Sequence, residues 1–297
     1  MPIRRCAFLR MADTSGWSID ADLAFAPLAR LGWQCEWLSW RSPAIRWDDW
    51  DAVYLAAPWD YPDDPEGFLA VLEAVERSRA ILLNPLDLVR WNIPKTYLRD
   101  LERRGADIVP SIWPVRFDAP MLDAFFDAFD NATIVVKPLV STNAANTWVL
   151  DRPVDPATVA MVGRSFARRA FVVQRFIRNI LTDGEYSLFY IGGECSHAIR
   201  KLPKPGDFRV QEEHGSSITA VTPEPRLLQT ADAVMALVQP EPVYGRADFV
   251  RDDDGIFRVM ELELIEPSLY LRMNAAAPER FARALDDYVL ERMGVTV

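Results

Sequence analysis

The N-terminal part of the chain alternates short apolar runs with amphipathic stretches, as expected for strands and helices in turn. The runs that predict buried strands are Cys6 to Leu9, Trp33 to Trp40, Ala52 to Ala57 and Ile81 to Leu83. The stretches that predict helices are Ala21 to Leu31 and the segment from Pro65, where Asp64 is a favourable N-cap. This β-α-β-β order is typical of an open α/β layer.

In a middle region of the chain, the order of predicted strands and helices indicates a small separate lobe. Its predicted elements are the strands Ile108 to Trp113, Thr133 to Val136 and Thr147 to Leu150, and the helices Pro120 to Phe129 and Pro156 to Arg169. Two hairpins and a closing helix, Pro278 to Met293, make up the rest. We therefore predict an α/β (α+β) protein with three domains, residues 1–106, 107–173 and 174–297.

The second of the two hairpins carries the strongest chemical signal. A two-residue turn at Asp254-Gly255 would pair Asp248 with Glu261 and Arg246 with Glu263. Because side chains alternate along a strand, Asp248, Glu261 and Glu263 would share one face. Carboxylates brought together out of water need a cation, and oxygen ligands suit Mg²⁺. The alternative is a solvated hairpin face.

The first hairpin turns at Gly192-Gly193 and, with a regular register, would place Glu185 opposite Arg200. A simple cross-strand ion pair would explain both residues. Arg200 and Arg209 also belong to a basic cluster just before the acidic hairpin. A metal-bound polyphosphate requires basic groups for its phosphates and acidic groups for its metal, and the two kinds of group lie close together in this part of the sequence.

Composition narrows the function classes. The 297 residues carry a formal net charge of −10, which argues against a nucleic-acid or anionic-membrane binder. Arg10 interrupts the N-terminus before a signal-peptide core could form, and no apolar run approaches a membrane span, so we expect a cytoplasmic protein. Three widely spaced cysteines predict neither a disulfide framework nor a Cys-rich zinc site.

Several polar residues are candidates for binding an anion, although each has an ordinary structural explanation. Lys95 lies beside the helix-opening Pro94, where the positive end of the helix dipole favours anions. Lys137 follows three β-branched residues, so it either emerges at a strand end or is buried and needs a partner. The loop after it, with Ser141, could cover phosphates through its backbone amides. Trp59 and Tyr61 follow a predicted strand, where they could bind a ligand or pack.

The sequence has no P-loop, no GxGxxG after a strand, no nucleophile elbow and no HExxH motif. It resembles the ATP-grasp proteins, in particular carboxylate-amine ligases of the glutathione synthetase and RimK type. The segments that carry the resemblance span about two-thirds of the chain: NPLDLVRWNIPKTYL, TIVVKPLVSTNAANT, VVQRFI, DGEYSLFYIGGECSHAIRK, GDFRVQEEHGSS and ADFVRDDDGIFRVMELELIEPS. The order and spacing of these segments are more specific evidence for the resemblance than any single segment.

The resemblance implies roles for individual residues. Lys95 and Lys137, with Ser141 in the covering loop, would hold the nucleotide phosphates. Gln174, Phe176 and Ile177 would bind adenine, and Glu185 the ribose. Asp248, Glu261 and Glu263 would hold Mg²⁺, with Mn²⁺ as a substitute, and Arg200 and Arg209 would neutralise the transferred phosphoryl group. Trp59, Tyr61 and Ser268 are candidates for substrate contact.

The implied domains are an N-terminal substrate domain, a central lid lobe and a C-terminal antiparallel-sheet domain with the metal site. The implied function is ATP-dependent activation of a small carboxylate as an acyl phosphate, attack by an amine, and release of ADP and phosphate. The implied partners are a carboxylate and an amine, without nucleic acid or membrane, and the implied assembly is a homodimer or homotetramer.

Three alternatives stay open. One is an intramolecular cyclo-ligase of the kind that forms cycloserine, and another is an ATP-binding module without turnover. The third is a glycosidase-like hydrolase, which paired carboxylates would also suit. Two departures from the family pattern bear on turnover, because NAAN occupies the place of a glycine-containing phosphate loop and HGSS has one glycine.

Overall fold

The computed structural model describes residues 3–130 and 132–294, and the chain ends of the predicted first and third domains lie outside these ranges. The N-terminal layer is a parallel sheet in the order β2-β1-β3-β4. Its elements are β1 (Arg4–Arg10), α1 (Phe25–Arg30), β2 (Trp33–Ser39), β3 (Ala52–Ala57), α2 (Pro65–Glu76) and β4 (Ile81–Leu83), followed by α3 (Leu86–Asn92) and α4 (Tyr97–Arg103). The predicted open α/β layer is confirmed.

Local chemistry explains where helix α2 begins. The Asp64 carboxylate accepts a hydrogen bond from the backbone N–H of Gly67, at 3.0 Å, and Pro65 occupies the first turn. Phe68, Leu72 and Val75 then recur at helical spacing and are buried against the sheet. The predicted helix from residue 21 instead starts as a 3₁₀ turn before continuing as α1.

The middle region forms a small antiparallel sheet in the order β5-β8-β6-β7. Its elements are β5 (Ser111–Ile112), α5 (Met121–Ala128), β6 (Thr133–Pro138), β7 (Trp148–Asp151), α6 (Pro156–Phe166) and β8 (Phe171–Arg175). Phe125, Phe126 and Phe166 pack on this sheet as a separate apolar cluster. The predicted domain boundaries themselves stay predictions.

The third sheet is antiparallel, in the order β11-β10-β9-β12-β13. Its elements are β9 (Glu185–Ile191), β10 (Glu194–Leu202), β11 (Ser217–Val221), α7 (Pro225–Ala236), β12 (Tyr244–Arg251) and β13 (Phe257–Glu263), followed by α8 (Ala277–Arg292). Strand β9 pairs with both β10 and β12, so the two predicted hairpins belong to one sheet.

The two hairpins differ from the predicted register in one respect each. In the β12–β13 hairpin, β12 ends at Arg251 and β13 begins at Phe257, and these two residues pair. The connection is therefore longer than two residues, so the predicted two-residue turn was wrong. Met260 is an extra, unpaired residue on β13, and this bulge restores the predicted pairs Asp248–Glu261 and Arg246–Glu263.

In the β9–β10 hairpin the Gly192-Gly193 turn is present, with both residues at positive φ. A bulge between Cys195 and His197 then shifts the register by one residue. Glu185 therefore pairs with Lys201, and the predicted pair with Arg200 was wrong because a one-residue shift turns each side chain to the other face.

Buried amide side chains attach the N-terminal layer to the third sheet. Asn92 donates to the carbonyl oxygen of Leu262 at 2.8 Å and accepts from the N–H of Leu264 at 2.9 Å, so it binds the backbone on both sides of Glu263. Asn84 donates to the carbonyl oxygens of Tyr244 and Leu264, at 2.9 and 2.8 Å. These side chains satisfy backbone groups at the β13 edge that no neighbouring strand satisfies.

Among residues 3–130 and 132–294, no helix is both long and apolar enough to span a membrane.

We expect Asn92→Ala to lower the free energy of unfolding by about 3 kcal/mol, because it leaves a buried carbonyl and a buried N–H at residues 262 and 264 without partners. Urea unfolding followed by circular dichroism measures this. Asn274→Ala, which removes a hydrogen bond to the exposed N–H of Ala276, is the control and should cost less than about 1 kcal/mol. Equal effects of the two variants would contradict the role of Asn92.

Candidate active site

One cavity of about 210 Å³ lies where the N-terminal layer, the middle lobe and the third sheet meet. Nearly all the predicted site residues line it: Lys95, Lys137, Ser141, Gln174, Phe176, Ile177, Glu185, Arg209, Asp248, Glu261, Glu263, Trp59, Tyr61 and Ser268. Arg200 is the exception, since it does not line the cavity. Residues that are far apart in sequence therefore converge on one place.

The predicted carboxylate trio is present, and basic side chains compensate each member. Asp248 accepts from the Arg246 guanidinium at 3.0 Å and from the Ser187 hydroxyl at 2.5 Å. Glu263 accepts from the same guanidinium at 2.5 Å. Glu261 accepts from the Lys95 ammonium at 2.5 Å.

The surroundings of the three carboxylates shift their pKa values in different directions. Burial, reinforced by the negative charges of Glu261 and Asp248, raises the pKa of Glu263 to about 7. Burial would also raise the pKa of Glu261, but the Lys95 and Lys137 ammonium groups lower it below its ordinary value. For Asp248 the neighbouring Arg246 likewise outweighs burial, so its pKa is lowered. The Arg246 guanidinium therefore outweighs burial at Asp248 but not at Glu263.

The trio does not form a ready-made metal cage. Within the described residues, no three Asp, Glu, His or Cys side chains are arranged to hold an ion as they stand. Arg246 lies between Asp248 and Glu263, and Lys95 is bonded to Glu261. A cation would therefore replace these basic side chains as the partner of the carboxylates.

Sequence reasoning missed two basic residues of the site. The Lys201 ammonium lies 2.8 Å from a Glu185 oxygen and 3.8 Å from an Asp248 oxygen. Arg246 was noticed only as the residue opposite Glu263. A basic residue two positions from an acidic one on the same predicted strand, as in Arg246-Ala-Asp248, is a signal that could have found Arg246, because the two side chains share a face.

The side chain of Arg200 lies beside Gly184, on the face of β10 that points away from the cavity. The bulge in β10 that turned Lys201 inward also turned Arg200 outward. Its predicted role toward a phosphoryl group has no support in this geometry. Arg209 does line the cavity, where Asp207 holds its guanidinium at 2.8 Å.

Lys137 is the clearest candidate for binding an anion. It is only 9% exposed, and among the described residues its ammonium has neither an ion-pair partner nor a hydrogen-bond acceptor. Burial lowers the pKa of Lys137 to about 8. Lys95 reaches the same region, where its ammonium also donates to the carbonyl oxygen of Ser141 at 3.2 Å.

The loop after β6 takes a conformation that glycine usually provides. Asn143, Ala144 and Asn146 all have positive φ, at 49°, 54° and 56°. Non-glycine residues rarely adopt this region, and asparagine does so most readily. The glycine-poor loop therefore folds back as a glycine-containing loop would.

One end of the cavity, where the sequence predicts an adenine site, is apolar. Phe176 and Ile177 belong to one buried cluster with Val210 and Val250, and Gln174 donates to the Ser111 hydroxyl at 2.9 Å beside it. The opposite end, toward the N-terminal layer, is lined by Trp17, Trp59, Tyr61, Glu266 and Ser268. Tyr61 also packs on Phe68, so both predicted explanations of this aromatic, ligand contact and packing, fit its position.

Comparisons with known proteins show the family of the chain. Residues 6–84 match the family described as D-cycloserine synthetase DcsG, N-terminal domain. The cycloserine biosynthesis protein DcsG of Streptomyces lavendulae is 31% identical over 294 residues, which cover 92% of this chain and 96% of that protein.

Two solved structures are informative. The crystal structure of D-cycloserine synthetase DcsG superposes with a TM-score of 0.85 at 28% identity, covering 96% of this chain and 99% of that one. The D-alanine–D-alanine ligase of Bacillus anthracis gives a TM-score of 0.67 at 16% identity, over 97% and 96% of the two chains, which supports the fold. The chain belongs to the ATP-grasp superfamily of ATP-dependent ligases, in the family of D-cycloserine synthetase DcsG.

Proposed function

We propose that the protein activates a small carboxylate as an acyl phosphate with ATP, joins it to an amine, and releases ADP and phosphate. One observation carries the proposal: carboxylates and basic side chains from separate elements meet in a single buried cavity with an apolar end. Phosphoryl transfer depends mainly on positioning and on neutralising charge, and this cavity offers groups for both.

The donor set fits a divalent cation, for which we propose Mg²⁺ with Mn²⁺ as a substitute. Asp248, Glu261 and Glu263 would hold it, since their carboxylates line one cavity and carboxylate oxygens suit hard cations. When bound, Mg²⁺ neutralises phosphate charge.

The chain's own residues would bind and orient the nucleotide. Lys137 has a buried ammonium that a phosphate oxygen would satisfy, and Lys95 lies within reach of the same loop. Phe176 and Ile177 offer an apolar surface to adenine, and the buried carboxylate of Glu185 would accept from the ribose hydroxyls. Arg209, at the cavity wall, would meet the phosphoryl group.

Ring closure within one substrate is the second candidate reaction. It is favoured by the relative named for cycloserine biosynthesis, at 31% identity. In that case the nucleophile and the carboxylate belong to the same molecule. A binding module without turnover is less well supported, because three residues of the NAAN loop adopt positive φ, as glycines of a phosphate-covering loop could. Membership in a ligase superfamily argues against the glycosidase hypothesis.

We expect the wild-type protein to release ADP from Mg·ATP in the presence of pooled amino acids and small carboxylates, and to form hydroxamates when hydroxylamine is added as a trap. Glu261→Gln should lower both rates at least about 100-fold, because it removes one charge from the cation site. Glu194→Gln, at an exposed position of the same sheet, is the matched control and should retain both rates.

Thermal unfolding of both variants separates loss of activity from loss of folding. If the wild-type protein releases no ADP, calorimetry with Mg·ATP distinguishes a binding module from a protein without a nucleotide site. Absence of binding would overturn the proposed function.

The affinity for Mg·ATP should depend on pH through the charge of Lys137. Phosphate stabilises the charged ammonium, so nucleotide binding should raise the pKa of Lys137 above its free value of about 8. The free protein then loses this charge as pH rises above 8, while the complex keeps it. Mg·ATP affinity should therefore fall up to tenfold per pH unit above pH 8, with uptake of up to one proton.

Calorimetry in buffers of different ionisation enthalpy, between pH 8 and 9.5, measures both effects. Glu263 is already ionised in this window, so it does not contribute. Lys137→Arg keeps its charge throughout and should show a flat profile. The same slope in the wild type and in Lys137→Arg would assign the pH dependence to another group.

A further inference from the structure

Glu266 is a buried carboxylate that the proposed reaction does not use. It lies just after β13, is 7% exposed, and lines the end of the cavity that faces the N-terminal layer. Within residues 3–130 and 132–294, its carboxyl forms no ion pair and no hydrogen bond with another side chain, although it does hydrogen-bond its own backbone N–H. The Trp59 indole donates to its backbone oxygen at 2.9 Å, which holds this segment in place.

The other carboxylates of the cavity, whether buried or half-buried, differ in this respect. Glu185 has Lys201 at 2.8 Å, Glu261 has Lys95 at 2.5 Å, and Glu263 has Arg246 at 2.5 Å. The neighbouring cations are thus already engaged. Burial, together with the negative charge of Glu263, raises the pKa of Glu266 well above its ordinary value.

A buried carboxylate without a partner is costly, so natural proteins pair such groups or use them to bind a ligand. The surroundings of Glu266 favour an organic cation. Trp17 and Trp59 lie ring against ring, with centroids 5.0 Å apart, and Tyr61 lines the same end of the cavity. Aromatic faces attract ammonium groups, whereas Mg²⁺ requires a shell of oxygen ligands.

The position of Glu266 also matches a zwitterion. Arg246 reaches the same segment, where its guanidinium donates to the carbonyl oxygen of Ser268 at 3.4 Å. If a divalent cation takes over Asp248 and Glu263, as proposed above, a substrate carboxylate can meet Arg246 while an ammonium group meets Glu266. The apolar nucleotide-base end, with Phe176 and Ile177, belongs to a different cluster of the cavity wall.

We propose that Glu266 binds the ammonium group of a zwitterionic amino-acid substrate, beside Trp17, Trp59 and Tyr61. This inference rests on the proposed ligase function, because it assigns one end of the same cavity to the substrate. Glu266 is a specificity-determining residue in this proposal, since it selects amino acids over carboxylic acids that lack the amino group.

The test compares two matched ligand pools. One contains the D- and L-forms of the common amino acids, and the other contains the same acids with hydrogen in place of the α-amino group. Binding to the protein loaded with Mg²⁺ and a non-hydrolysable ATP analogue is measured by ligand-observed NMR. We expect the wild type to bind members of the first pool and to bind their deaminated counterparts at least tenfold more weakly.

Glu266→Gln keeps the size of the side chain and removes its charge, so it should abolish this preference while leaving affinity for the ATP analogue within twofold. Glu213→Gln removes the same charge from an exposed position at the rim of the cavity and should keep the preference. Equal binding of both pools by the wild type, binding of neither pool, or an intact preference in Glu266→Gln would each overturn the proposal.

Assays of ADP release and hydroxamate formation in parallel samples with ATP separate this inference from the proposed function. Selective binding of amino acids without ADP release would support the ammonium subsite and contradict ligase activity. Equal formation of ADP and hydroxamates from amino acids and from deaminated acids would support ligase activity and contradict the ammonium subsite.

Discussion

The convergence of like-charged carboxylates from β12 and β13, with Asp248 buried, is the constraint on which the rest of the site depends. Asp248 is 2% exposed, and such a group is stable only when positive charge and hydrogen bonds surround it. Arg246 supplies them from β12, Lys201 from β10, and Lys95 supplies them to Glu261 from the N-terminal layer. The side chains that form these ion pairs are therefore also the ones proposed to bind ligands. The carboxylates Asp248 and Glu261 would bind the metal, and Lys95 would bind the nucleotide.

Because the same side chains would form ion pairs in the free protein and bind ligands in the complex, ligand binding would break the ion pairs. When a cation takes over the carboxylates, Lys95 and Arg246 lose their partners and become available to anionic ligands. Phosphate and carboxylate oxygens are the natural replacements, so the site would exchange internal ion pairs for ligand contacts without a large change in net charge. Asn92 keeps the backbone of Glu263 in place during such an exchange because it is bonded on both sides of it.

The carboxylate trio shows how a correct prediction can rest on an incorrect detail. The predicted pair Asp248–Glu261 depended on a two-residue turn that does not form, and the bulge at Met260 compensated for it. In the neighbouring hairpin the turn was right, but an uncompensated bulge moved Lys201 into the place predicted for Arg200. A bulge adds one residue to one strand, and neither hydrophobic alternation nor turn chemistry shows where it lies.

The sequence by itself determined most elements of the open layer, the lobe and the first hairpin, because apolar periodicity, the Asp64-Pro65 cap and the Gly-Gly turn act over a few residues. It also determined that Glu261 and Glu263 lie on one face of β13, since alternation along a strand is a local property. The place of Asp248 opposite Glu261 depended on the bulge at Met260. Only the tertiary structure decided which basic residue meets which carboxylate, and that Glu266 meets none among the described residues. Those outcomes depend on register and on segments far apart in the chain, whose contacts no local pattern encodes.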